Sequence, residues 1–60
     1  MDIGDKVTYK TSYKVEHGIV KSISDFSYVF VVYHCGGDWN NYKDYTGART
    51  AISDLIEGWE

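Results

Sequence analysis

Proline is absent from this chain of 60 residues, and cysteine occurs once, at Cys35. Without proline, turns must be made by glycine and by short polar side chains. The punctuation therefore falls at Gly4, Gly18, the pair Gly36–Gly37, Gly47 and Gly58. A lone cysteine excludes an internal disulfide, so the fold must stand on packing alone, and a reducing cytoplasm is the expected compartment. Long apolar runs are also missing. Nothing approaches the roughly 20 residues that span a bilayer, and the opening "MDIGDKVTYK" lacks the apolar centre of a signal peptide. No membrane association is expected.

Positive charge is scarce as well. Six Lys and Arg stand against nine Asp and Glu, for a net charge of −3. Strong nonspecific binding to duplex nucleic acid needs a positive field that displaces counterions, and this chain has too little of it. The distribution is uneven. Lys6, Lys10, Lys14 and Lys21 leave the first 21 residues slightly basic, whereas Asp38, Asp44, Asp54, Glu57 and Glu60 make the remainder acidic.

What the chain does have is β-formers. "DKVTYK" alternates, with Val7 and Tyr9 on one face and Lys6, Thr8 and Lys10 on a wet one. "HGIVKSIS" reads as a second strand with Val20 and Ile23 in the core. Their spacing of three requires a bulge near Lys21 and Ser22. "SYVFVVYHC" is the strongest strand, apolar on both faces over residues 28 to 33, with "SDFS" before it as the hairpin turn. "ARTAIS" is a fourth strand. "SDLIEGW" follows as a helical turn capped by Ser53, then a last short strand through Ile56. Residues 1–60 form one domain with no room for a second. Four or five short antiparallel strands are best buried by rolling into a small all-β barrel.

The order of "GDKVTY", "HGIVKSI", "VFVVYH" and a closing "SDL" resembles an SH3-like barrel of the Tudor and KOW type, over residues 4–35 and 48–59. "GDW" and "YTGA" are similar to elements of small SH3-like barrel proteins carried by bacteriophages and prophages. The first likeness implies a binding module, and the second implies a phage accessory protein that engages a host factor. Tudor domains that read methylated Lys or Arg use an aromatic cage. Tyr9 and Tyr33 match two of its positions, but Glu16 or His17 stands where a further aromatic belongs. The loop after the third strand is also about nine residues too long for that pattern, which argues against a methyl-lysine reader.

No constellation carries catalysis or a metal, and no cofactor is expected. His34 and Cys35 are consecutive, so on a strand their side chains diverge and share neither an ion nor a proton. Cys35 reads as a small core residue and His34 as a solvent-facing one. Aromatics gather instead in "HCGGDWNNYKDYTG", residues 34 to 47. If Asp38 caps a helical turn, Trp39, Tyr42 and Tyr45 recur along one side of it, and Gly47 lets the chain leave in a left-handed conformation.

Two readings follow for this excursion. As a lid, it covers the second apolar face of the third strand, since an ordinary barrel strand buries only one face. As a binding surface, Trp39, Tyr42 and Tyr45 form a protein-recognition patch, with Asn40 and Asn41 adding hydrogen bonds at its rim. Trp59 is expected to seal the barrel end. The alternative partner is nucleic acid, held by Lys6, Lys10 and Lys21 beside Tyr13 as a stacking ring. A homodimer through the strand edges or the aromatic patch is the third option.

Overall fold

The computed structural model describes residues 1–60 and shows a small, barrel-like all-β fold. Five antiparallel strands are β1 (Lys6–Lys10), β2 (Val15–Ile23), β3 (Tyr28–Val32), β4 (Ala48–Ala51) and β5 (Leu55–Glu57). They form one sheet in the order β4-β3-β2-β1-β5. Two 3₁₀ turns interrupt the strands: Trp39–Asp44 between β3 and β4, and Ile52–Asp54 between β4 and β5. No helix is long and apolar enough to cross a membrane.

Registers assign every strand residue to a face, because directly paired residues share a side of the sheet. Val7 pairs with Gly18, Val20 with Val31, Val29 with Thr50 and Tyr9 with Leu55. These residues line the interior. Val7, Val20, Val29 and Val31 form its wholly buried centre, and Met1, Tyr33, Ile52 and Leu55 pack around them. The register of β2 against β3 shifts between Val20 and Ser22, which is the bulge required by the spacing of Val20 and Ile23. Gly18 lies where strands crowd together: a Cβ there would overlap the Cγ1 of Val31 and come within 3.0 Å of the Tyr33 ring.

Several expectations are corrected. Ile23 keeps its inward register opposite Val29, but it lies at the open mouth of the barrel and remains 49% exposed. β3 stops at Val32 instead of continuing to Cys35, because the left-handed Gly36 and Gly37 turn the chain away. Ser53 lies inside its 3₁₀ turn; the capping position is Ala51 and no side chain caps it. Gly47 is not left-handed. Its missing side chain instead admits Phe30, whose Cβ would lie 3.0 Å from a Cβ added there.

Thr8 is the most informative correction. It lies on the outer face with Lys6 and Lys10, yet it is fully buried. Its hydroxyl donates to the carbonyl of Gly58 at 2.7 Å and accepts the N–H of Glu60 at 3.1 Å. Gly58, with φ +83°, lets the chain double back after β5. The C-terminal tail is thereby pinned across the outer face of the sheet. Trp59 therefore covers that face and does not seal the barrel end.

Candidate functional site

The outer face of β1, β2 and β3 carries Thr8, Ile19 and Val32. Ile19 pairs with Val32 on one side and with Lys6 on the other. On a sheet open to water these positions would be wet, yet Val32 is fully buried and Ile19 is only 6% exposed. Two segments cross this face. The 3₁₀ turn Trp39–Asp44 lies against β2, and the tail arrives from β5. They meet through their tryptophans, with the rings of Trp39 and Trp59 5.0 Å apart and tilted by 58°.

Trp59 is held on three sides. Its indole N–H donates to the carbonyl of Gly18 at 2.9 Å. The imidazole of His17 stacks on it at 5.2 Å, nearly parallel at 9°. The ammonium of Lys6 sits 4.9 Å from the ring centroid, within cation–π range. His17 in turn reaches the Glu60 carbonyl oxygen at 2.6 Å. The row His17, Trp59, Trp39 is thus a continuous aromatic layer over the sheet.

The lid is built as a 3₁₀ helix, not a regular α-helical turn, and Asn41 breaks it with φ −111° and ψ 29°. Asp38 occupies the N-cap position but makes no side-chain cap to the backbone. Its carboxylate instead accepts the side-chain amide of Asn41 at 2.9 Å and the hydroxyl of Tyr45 at 3.0 Å. Because the Asp38 carboxylate holds that proton, the Tyr45 phenol is pushed above its ordinary value. Tyr42 reaches across to the turn before β1, where a side chain at Gly4 would come within 3.3 Å of its hydroxyl. Lys21 ties down the lid's exit by donating to the Tyr45 carbonyl at 2.6 Å.

All five residues of the expected protein-binding patch therefore lie on one excursion, in two layers. Trp39, Tyr42 and Tyr45 are half-buried, whereas Asn40 and Asn41 are exposed. No lid residue is fully buried. The lid and surface readings coexist: the inner edge of each ring covers the sheet and the outer edge meets water.

The lysines of the alternative surface do not form a free basic edge. Lys10 pairs with Glu60 at 3.5 Å and Lys14 with Glu16 at 3.8 Å. Lys21 is committed to Tyr45, and Lys6 to Trp59. Tyr13 projects from the β1–β2 connection almost completely exposed. Cys35 is buried and His34 is largely exposed, near Glu16 at 3.5 Å. No three His, Cys, Asp or Glu side chains converge as metal ligands.

A shallow groove of about 390 Å³ opens elsewhere, lined by Tyr9, Tyr33, Glu16, Arg49 and Asp54 among others. Tyr9 and Tyr33 meet edge to face at 6.0 Å. Glu16 shares their inward face through its register with Tyr9, so a carboxylate stands beside the ring pair, and His17 points to the outer face. Burial pushes the Tyr33 phenol upward, partly opposed by its hydrogen bond with Thr50 at 2.9 Å.

One residue escaped the sequence reading. Phe26, taken only as part of a turn, is completely exposed at the β2–β3 tip. The available signal was an aromatic in a four-residue turn where only polar residues are needed. Comparison with known proteins gives no matching family model, no matching curated protein and no matching solved structure.

Proposed function

We propose that this chain is a noncatalytic protein-binding module that works through the outer aromatic face. One observation carries the reading: two tryptophans in contact at 5.0 Å lie half-exposed on a single face, flanked by exposed Asn40 and Asn41. Trp and Tyr offer large contact area at small entropic cost and are enriched at binding hot spots. Here they are also pre-organised, since Trp59, Tyr45 and Lys21 hold the layer in place through hydrogen bonds, so little ordering remains for binding to supply. Asp38 and Asp44 at the rim favour a basic partner and speed its encounter at low salt. The barrel's likeness to SH3-like proteins of phages and prophages suggests a cytoplasmic host protein as that partner.

The test is capture from host lysate by wild type and by Asn40→Arg/Asn41→Arg, with circular dichroism on both. These two side chains are exposed, so the fold should survive. A specific partner captured by wild type and lost in the double variant supports the reading. Equal capture by both refutes it. Nucleic-acid binding predicts a different pattern: capture that falls steeply with salt and disappears on Lys6→Glu/Lys10→Glu.

A further inference from the structure

The mouth of the barrel opens on the side opposite in character to the aromatic face. Met1, Ile23, Phe26, Val29 and Ile52 line an apolar groove there of about 550 Å³, and Asp25 is the one charged residue on its wall. Phe26 stands at its rim with its whole surface in water. The turn that carries it is firmly built. The Asp25 carboxylate accepts the N–H groups of Ser27 at 2.8 Å and Tyr28 at 3.1 Å, and the N–H groups of Ser24 and Asp25 both donate to the Tyr28 carbonyl. The ring is therefore presented, not left loose.

We propose that the occupant of this groove is a second copy of the chain, with Phe26 of each copy seated in the mouth of the other. Knob and hole lie side by side on one surface, which is what a two-fold contact requires: the same patch must serve as both partners. Charge points the same way. Two copies each carrying −3 repel wherever acidic surface meets acidic surface. At this mouth the only carboxylate is already matched by Arg49 at 3.7 Å, and that guanidinium lies 3.8 Å from the centre of the Tyr28 ring.

Area sets the strength. The molecule measures 27 × 25 × 16 Å, so one end offers roughly 400 Å² per copy, about half of a standard protein–protein interface. The dimer is accordingly weak and governed by concentration.

Sedimentation velocity from roughly 10 μM to 1 mM, the range in which such small contacts exchange, reads this directly. The expected result is a monomer–dimer equilibrium in wild type, weakened more than tenfold in Phe26→Asp and in Phe26→Ser. In a mixture of isotope-labelled and unlabelled chains, magnetisation should pass between the Phe26 ring of one copy and the Met1 and Ile52 methyl groups of the other. A monomer across the whole range overturns the proposal. So does a dimer that persists in Phe26→Asp, since it would use another surface. Binding of monomeric protein to neutral phosphatidylcholine vesicles through Phe26 would likewise overturn it by assigning the ring to lipid. None of these outcomes depends on the aromatic face.

Discussion

Replacing Val32 with alanine tests whether the lid and tail are structural. Val32 points to the outer face, opposite Ile19, and is fully buried. The substitution removes two methyl-sized groups at about 0.8 kcal/mol each. The space left behind adds a further cavity cost, for a total of about 2 kcal/mol. A domain of this size has on the order of 5 kcal/mol of stability, so the loss should be large in urea titration: a midpoint about 2 M lower at a slope near 1 kcal/mol/M. Thermal unfolding should fall by roughly 10 °C. Val15→Ala is the control, because Val15 is on the same outer face of β2 but half-exposed, and its midpoint should hardly move. If Val32→Ala costs no more than Val15→Ala, the outer face is wet in solution and the lid does not cover it.

Four further outcomes follow from individual contacts. Gly18→Ala forces a Cβ into Val31 and Tyr33 and should cost about 1–3 kcal/mol in the same titration. Trp59→Phe keeps a ring but removes the donor to the Gly18 carbonyl; it should cost about 1 kcal/mol and increase amide exchange in the tail. Lys21→Met removes the tie to Tyr45 and should raise exchange across Tyr45 and Thr46 while leaving β1 protection unchanged. The raised Tyr33 phenol stabilises the fold below the ordinary tyrosine value near 10 and loses that contribution as pH climbs through its folded value. Alkaline unfolding of Tyr33→Phe, followed by circular dichroism, should therefore begin at higher pH than in wild type.

The strands were legible because their signals are local. Alternation in "KVTYK", the three-residue step from Val20 to Ile23 and the doubly apolar "YVFVV" each name a strand, a bulge or a need for cover. The need for cover was met, since Val32 and Ile19 are shut away. What stayed hidden was long-range. Thr8 reads as wet because nothing nearby shows that residues 58–60 will return across it, fifty positions later. Ile23 reads as core because its register is right, but register does not reveal that the barrel is open at that end. Ser53 and Gly47 were assigned capping and left-handed roles that suit their types, yet tighter packing decided both positions.

The aromatic face shows why fold and recognition are hard to separate in so small a protein. Its interior centre contains only valines, too little apolar surface to hold 60 residues comfortably. The larger rings are therefore spent on a second layer outside the sheet, where Trp59 and Trp39 bury one edge against the sheet and leave the other in water. Any surface made this way is rigid because the fold depends on it. A partner can then meet a pre-formed array instead of ordering one. It also follows that truncating Trp39 mixes lost folding with lost contact. Charge placed at Asn40 and Asn41, which the fold leaves free in water, separates the two.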